Sequence, residues 1–412
     1  MSGEQQPGWR HRRHPGRSCA PSPARTVRRV ARRRSSRDPT FAIASRQHRP
    51  EPWTAMHLRT ATPDDVPSLY ALWGRAFDAP LMVPVYETDD GRLDRTHVAV
   101  EPDDGRVVGS VYWTPRELGG PDGSALRAGG VANVATAPEA RGRGLVRALL
   151  ARAVEQMEQD GADVALLFTG TPDVYRSSSF ETFDVPLLRG APRPVDEPDP
   201  GHDDLDDLDD DGLPTGAAPS DLVGDAPVRT RTDRLPDVPW PAWSVALRWE
   251  QLAALHDAFD TVADGPRPLA VRRTAEHWER RIPLWYSGAE VLTARAADGK
   301  VVGYLALEPE PDVLKVRELG VDPASVRAHD VVDALARITL HRAHLHGSPA
   351  VEVRLPAHAL TDRFAAAVLD APVAATDTTG MLRPVRAAAD VVAHLRDAAA
   401  AGVGFHWPGD YL

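Results

Sequence analysis

The sequence predicts a mixed α/β (α+β) protein built from two tandem units, each with a mixed sheet flanked by helices. Helical periodicity alternates with short β-branched runs, which is typical of helices that cover a sheet. The same order of helix, hairpin strands, strand, helix and strand occurs within residues 56–190 and again within 240–385. A glycine-containing turn between a strand and a helix occurs only in the first unit, so we expect that unit to bind the ligand and the second to be degenerate.

The elements follow from hydrophobic periodicity, capping residues and turn signals. The first unit is predicted to contain a helix at 63–77, hairpin strands at 96–101 and 107–114, a strand at 131–136, a helix at 145–157, and strands at 164–168 and 185–188. The second is predicted to contain a helix at 278–285, hairpin strands at 290–296 and 301–308, a strand at 315–321, a helix at 329–344 and a strand at 350–355. A helix and tail at 386–412 complete the chain.

The segment Gly129 to Met157 joins a β-branched run to a glycine-containing turn and an amphipathic helix. Apolar residues recur every three to four positions from Leu145, so one helix face is continuously apolar. A strand that leads through such a turn into a helix directs several backbone N–H groups and the positive end of the helix dipole at one point. That point suits a pyrophosphate, to which Arg141 and Arg143 would add charge-assisted contacts.

This segment resembles the acetyl-CoA-binding motif of the GNAT N-acetyltransferases, whose pattern is Gln/Arg-x-x-Gly-x-Gly/Ala. Val146 occupies the position of the last glycine or alanine, and that departure, with Leu145 before it, is typical of the Eis-like (enhanced intracellular survival) branch. The resemblance implies a GNAT acetyltransferase that takes acetyl-CoA as co-substrate. The residues expected to hold acetyl-CoA are Val134, Ala135, Thr136, Arg141, Gly142, Arg143, Gly144 and Leu145.

The chemistry of acyl transfer needs an uncharged amine, a stabilised oxyanion and a proton for the leaving thiolate. A backbone N–H group within 134–136 could polarise the thioester carbonyl. In the family a tyrosine five residues before an aromatic residue acts as the general acid. Tyr175 and Phe180 have that spacing, although Ser179 replaces the usual glycine, and a purely structural role for Tyr175 stays open.

The base and the acceptor site are less sharply defined by the sequence. In Eis-like enzymes the chain's own C-terminal carboxylate reaches the active site, and the ending GFHWPGDYL is similar to that branch. The carboxylate of Leu412 is therefore a candidate base, with Asp410 or a water wire as rivals. Trp73, Phe77 and Asp78 could line an amine pocket, although a helix face with Trp and Phe four residues apart is more often core.

The resemblance covers roughly residues 56–385 and implies a degenerate second GNAT unit. The counterpart of the ligand-binding loop there is GVDPASVRAHDVVDAL, which has no Arg-x-x-Gly. A sterol-carrier-like third domain usually follows in Eis-like proteins, and we expect it to be lacking because only 28 residues follow Pro384. The resemblance also implies a homo-oligomer.

Charge is distributed unevenly along the chain, whose formal net charge is −11. Residues 1–55 hold thirteen arginines and three acidic residues and have no hydrophobic core of a signal peptide, so we expect a disordered arm. Met56 resembles a natural domain start, so the arm could be upstream sequence. The acidic remainder disfavours nucleic acid and membrane partners and favours a small cationic amine or a lysine side chain as acceptor.

The single cysteine and the lack of a run of about 18 apolar residues predict a cytoplasmic enzyme. The presence of only two lysines beside abundant arginine and alanine suggests a bacterial source, and we expect no metal. One cysteine, Cys19, excludes an intramolecular disulfide and a Cys-rich zinc site. The acidic run within 191–239 lacks the glutamate and flanking helices of a calcium loop, so we interpret it as a flexible linker. His341, His344 and His346 could share a metal, but no further ligand is fixed beside them.

Two other functional classes stay open from the sequence. A non-catalytic CoA-sensing or regulatory pair of units would require a broken first loop, and the loop motif is intact. A nucleic-acid-associated protein would depend on the basic arm alone, and its DNA binding would be salt-dependent and lost without residues 1–55.

Overall fold

The computed structural model describes residues 56–77, 79–194, 229–234, 249–262, 265–296 and 298–411, with the backbone alone described for 229–234. The predicted basic arm, most of the predicted acidic linker, Asp78 and Leu412 lie outside these residues.

Two seven-stranded mixed sheets form the centre of the described structure. Strands β1–β7 are His57–Thr60, Thr96–Val100, Val107–Gly119, Ala125–Thr136, Val164–Phe168, Glu181–Thr182 and Val185–Pro192. Strands β8–β12 are Arg229–Arg234, Thr261–Val262, Gly265–Pro266, Glu290–Arg295 and Val301–Glu310. Strands β13–β16 are Val313–Val321, Val351–Val353, Leu369–Asp377 and Gly380–Pro384.

Helices cover these sheets. Helices α1–α5 are Val66–Ala76, Met82–Glu87, Leu145–Gln159, Asp173–Arg176 and Trp249–Asp260, and α6–α9 are Ile282–Trp285, Ala328–Leu345, Ala359–Val368 and Ala389–Ala400. Short 3-10 turns occupy Pro63–Asp65, Pro138–Ala140 and Pro408–Asp410, and a π-helical segment, His277–Arg281, precedes α6. The predicted α/β class with two mixed sheets and flanking helices is confirmed.

The two sheets exchange strands. The first has the order β1-β2-β3-β4-β5-β16-β6, so β16, from late in the chain, pairs antiparallel with β5. The second has the order β15-β7-β14-β13-β12-β11-β8, so β7 pairs with β14 and β15. The strand expected near 185–188 exists as β7 but joins the second sheet, because local periodicity specifies a strand without specifying its neighbour.

The amphipathic pattern of α3 explains its packing. Leu149, Leu150, Ala153 and Met157 are fully buried against the first sheet, as the spacing of three and four predicts. Each fully buried leucine contributes about 1.5–3 kcal/mol relative to exposure. The glycines ahead of α3 are thereby held at one fixed place beside β4.

A buried ion network fixes the C-terminal tail. The Arg273 guanidinium donates to both carboxylate oxygens of Glu318, at 2.7 and 2.9 Å, and through Nε to Asp410 at 2.8 Å. The hydroxyl groups of Tyr286 and Tyr304 also donate to Glu318, and all three charged side chains are 0% exposed. Arg273 therefore joins the tail to the central strand β13.

We expect Arg273→Leu to lower the free energy of unfolding by about 3–5 kcal/mol, because it leaves two buried carboxylates uncompensated. The matched control is Arg363→Ala, which removes a pair with Asp333 whose side chains are 46% and 36% exposed. That control should cost less than about 1 kcal/mol. Equal effects in chemical denaturation would contradict a structural role for the network.

Candidate functional site

Strands β4 and β5 diverge where the site begins. They pair in parallel only through Ala128–Val164, Gly129–Ala165 and Gly130–Leu166. Beyond Gly130, β4 continues to Thr136 while pairing with β3 on its other side, and β5 remains fully paired with β16. The edge of β4 over 131–136 therefore faces an opening in the sheet instead of a described strand.

A β-bulge shapes β4 inside this opening. The register between β3 and β4 shifts at the bulge, and Asn133 has a φ of 49°. The Ser110 hydroxyl donates to the Asn133 carbonyl at 2.8 Å, and the Trp73 indole donates to Ser110 Oγ at 2.9 Å. A buried chain of hydrogen bonds thus fixes the bulge from the α1 side. Bulges of this kind redirect backbone groups beside active sites.

The predicted loop lies at the N-terminus of α3. Gly142 and Gly144 have φ values of 75° and 76°, a region that favours glycine. Gly144 is the residue before the helix and supplies no side-chain cap, so the first-turn N–H groups remain available to a ligand. Leu145, 2% exposed, anchors the turn in the core. The loop therefore has the geometry of an anion site at a helix N-terminus.

The two loop arginines lie differently. Arg141 is exposed, whereas the Arg143 guanidinium lies 3.5 Å from Glu101 and donates to the Glu139 carbonyl at 3.3 Å. Arg143 is 37% exposed, so a ligand phosphate can still approach it. Both side chains lie on the loop that the sequence identified.

Tyr175 lies on α4, just beyond the end of β5. It is 8% exposed, and its ring meets Phe180 edge-on at 6.2 Å. Burial raises the pKa of the Tyr175 phenol to about 12, against the opposing effect of a hydrogen bond with Thr169. Ser179 has a φ of 63°, in the left-handed region that favours glycine. Tyr175 is thus a protonated, largely dry hydroxyl near the opening.

The C-terminal tail reaches the same end of β5. Tyr411 stacks on Phe168, the last residue of β5, with ring centroids 4.2 Å apart. Its carbonyl accepts a hydrogen bond from Arg281, and its hydroxyl accepts one from Arg354. Asp410, the rival base, is fully buried in its pairing with Arg273, which favours a structural role.

An apolar cavity of about 300 Å³ adjoins the bulge. Its walls combine the segment before and within α2 with residues of β3, β4 and α6. The lining residues are Ala79, Pro80, Leu81, Met82, Val85, Tyr86, Tyr112, Asn133, Arg281 and Trp285. The tail ends beside it, because Tyr411 touches both Arg281 and Trp285.

Of the predicted acceptor residues, Trp73 and Phe77 are described, and neither lines this cavity. Trp73 is 2% exposed and meets Tyr86, a wall residue, edge-on at 4.8 Å. Phe77 is partly buried after the end of α1, and Asp78 lies outside the described residues. The wall residues Arg281 and Trp285 were missed by the sequence reasoning, since nothing in their pattern marks them as neighbours of the first sheet.

Two members of the histidine cluster, His344 and His346, form hydrogen bonds with protein groups. The His344 ring is 2.7 Å from the Leu340 carbonyl, and the His346 ring is 2.9 Å from Glu290. Within the described part of the chain, no group of three or more metal-ligating side chains could hold an ion. Among those same residues no helix has the length and apolarity needed to cross a bilayer.

Comparisons with known proteins agree with this geometry. Residues 57–183 match the model of the acetyltransferase (GNAT) domain family. The fold is similar, over 80% of this chain, to a probable N-acyltransferase from Enterococcus faecalis V583 (15% identity, 72% of its chain, TM-score 0.54). It is also similar to a GCN5-related N-acetyltransferase from Kribbella flavida (18%, 71%, 0.51).

Eis1 from Mycobacterium abscessus also aligns, at 18% identity over 80% of this chain and 73% of its own, with a TM-score of 0.48. None of the curated proteins matches the sequence. Residues 57–183 therefore match a GNAT acetyltransferase domain, and the solved structures share the overall fold.

Proposed function

We propose that this chain transfers an acetyl group from acetyl-CoA to the primary amine of a small molecule or a lysine side chain, within one ternary complex. The proposal rests on the divergence of β4 from β5 beside a glycine-containing loop that leads directly into α3. We further propose a cytoplasmic, Eis-like enzyme whose second unit is degenerate. The turn before α7 supports this last point, since it lacks a glycine pair.

Acetyl-CoA would be held by backbone groups. The pyrophosphate would accept hydrogen bonds from N–H groups of the first turn of α3, with Arg141 and Arg143 adding charge. The pantetheine arm would then lie in the opening along 131–136, where the edge of β4 has no described strand partner. An N–H group within Val134–Thr136 would donate to the thioester oxygen and stabilise the oxyanion.

The transfer forms one C–N bond and breaks one C–S bond. The neutral amine attacks the thioester carbon, the amine proton passes to a base, and the tetrahedral intermediate collapses to the amide and the CoA thiolate. Tyr175 would donate to the sulfur as charge develops there. Burial raises the pKa of the Tyr175 phenol to about 12, above the value of about 8.5 for an ordinary thiol. The phenol therefore remains protonated throughout the working pH range and can donate a hydrogen bond to the sulfur.

We propose the carboxylate of Leu412 as the base. The support comes from the preceding residue, since Arg281 holds the Tyr411 carbonyl and Phe168 stacks on its ring. Tyr411, the residue before Leu412, contacts Arg281 and Trp285 of the apolar cavity and Phe168 at the end of β5. Asp410 is a weaker candidate because its side chain is completely buried and paired with Arg273.

We expect Gly144→Glu to abolish acetyl-CoA binding, measured by calorimetry, because a side chain and a negative charge would meet the pyrophosphate. Gly105→Glu is the matched control. Gly105 has a similar φ of 70° in the β2–β3 turn, with no atom within 4 Å of an added Cβ. The control shares the backbone strain and should bind normally. Unchanged affinity in the Gly144 variant would remove the basis of the proposal.

We expect Tyr175→Phe to reduce kcat on the order of 10²-fold with similar acetyl-CoA affinity, because it keeps the ring and removes the donor. Since the phenol stays protonated to a pKa of about 12, the wild-type rate should show no alkaline decline from Tyr175 between pH 8 and 10. Tyr70→Phe, on α1, is the control. Full turnover in the Tyr175 variant would make that residue structural.

We expect one glycine added after Leu412 to reduce kcat on the order of 10²-fold, because the carboxylate moves while every contact of Tyr411 can persist. The melting temperature should stay unchanged. Deleting Tyr411 and Leu412 should also cost activity, but it removes the stacking and the Arg281 contact as well. Normal rates of amine acetylation in the extended protein would favour a water wire as base.

A further inference from the structure

Two arginines near the acceptor cavity, the buried Arg281 and the half-buried Arg116, differ from the other buried arginines. Arg281 is 5% exposed and donates to the Tyr411 carbonyl, but its Nε has no hydrogen-bond partner. Arg116 donates to the Thr114 hydroxyl and the Pro115 carbonyl, both at 2.9 Å, and its buried Nε is likewise unpartnered. Neither guanidinium forms an ion pair with a described carboxylate. By contrast, Arg267, Arg273 and Arg354 are all paired with aspartate or glutamate.

These two arginines share a place in the structure. Both line a polar cavity of about 640 Å³ beside the apolar one, and Arg281 lines both cavities. Burial, and next the charge of Arg116, lower the pKa of Arg281 to about 9. Burial likewise lowers the pKa of Arg116. Asp89 and Asp410 act on both charges from a distance without forming an ion pair with either guanidinium. The two like charges are therefore incompletely compensated, and an oxyanion between them would relieve their repulsion.

We propose that Arg281 and Arg116 bind a carboxylate of the acceptor, so that the acceptor is an amino acid with an apolar side chain. This inference rests on the proposed acetyl transfer. The apolar body fills the 300 Å³ cavity, its amine faces the bulge at Asn133, and its carboxylate meets the guanidinium pair at the junction of the two cavities. Arginine suits this task because its planar fork matches a carboxylate.

The walls of the apolar cavity support this class over a purely cationic acceptor. Its described lining contains one formal charge, which is the positive charge of Arg281. A polyamine would bring further positive charge next to that group. An acceptor with one carboxylate close to its amine instead complements the cation and leaves an uncharged part for Leu81, Met82 and Trp285.

Paired acceptors test the inference in the full-length protein. We expect free-thiol release from acetyl-CoA with L-phenylalanine to exceed that with phenethylamine, which lacks only the carboxylate, by 10- to 100-fold in kcat/KM, on the order of one charge-assisted pair. Spermidine should be a poor acceptor. Equal or faster turnover of phenethylamine or spermidine would overturn the inference while leaving acetyl transfer intact.

Arg116→Gln should reduce the preference for L-phenylalanine over phenethylamine to near parity, with acetyl-CoA affinity unchanged. Arg116→Lys keeps the charge without the fork and should give an intermediate preference, which keeps the test valid if the glutamine variant misfolds. The matched control is Arg272→Gln in the wall of the same polar cavity. Arg272 is 78% exposed and pairs with Glu117, so its removal should leave the preference intact. A preference that persists in Arg116→Gln would count against the site.

A binding measurement separates this inference from the proposed function. Hydrocinnamate has the apolar body and carboxylate without an amine, so calorimetry detects the site with no chemistry. Binding to the wild type that weakens at least tenfold in Arg116→Gln supports the anion site even if no amine is acetylated, an outcome that would refute only the acetyl transfer. Absence of hydrocinnamate binding to the wild type overturns the inference.

Discussion

The buried pairing of Arg273 with Glu318 and Asp410 is the constraint on which the site depends. It joins three parts of the chain that are distant in sequence: the segment before α6, the central strand β13 and the C-terminal tail. Burial alone would raise the pKa of Glu318, but the charges and hydrogen bonds of Arg273 and His256 together outweigh it and hold that pKa well below the usual range. The stability from this depressed pKa is present at neutral pH and is lost as the pH falls through the folded-state pKa.

Further contacts of the C-terminal tail determine where Tyr411 lies relative to the site. Trp407 is fully buried and donates to Asp260 at 2.9 Å, while the His406 ring is 3.1 Å from the Leu269 carbonyl. With these residues fixed, Tyr411 can only emerge at the end of β5, where it stacks on Phe168. The buried aromatic residues of the tail therefore fix the position of Tyr411 at the end of β5.

Sequence reasoning succeeded where the determinants are local. The segment from Gly129 to Met157 could be interpreted correctly because turn glycines and helix periodicity act over a few residues. The family resemblance nominated Tyr175 by its spacing to Phe180, and its catalytic role stays a prediction. Sequence reasoning missed the exchange of β7 and β16, because strand periodicity does not identify the neighbouring strand. It missed Arg116 and Arg281 for a related reason, since an unpaired charge is recognisable only once its surroundings are known.

The strand exchange explains how the second half can shape the chemistry without a ligand loop of its own. Because β16 lies within the first sheet and β7 lies within the second, each sheet contains a strand from the other half of the chain. The halves are thereby held so that Arg281 and Trp285 from one face Tyr86 and Tyr112 from the other across a single cavity. In the proposed function, the second half would bind no cofactor but would form part of the cavity wall that selects the acceptor. The first half would supply the opening in its sheet and the N-terminus of α3.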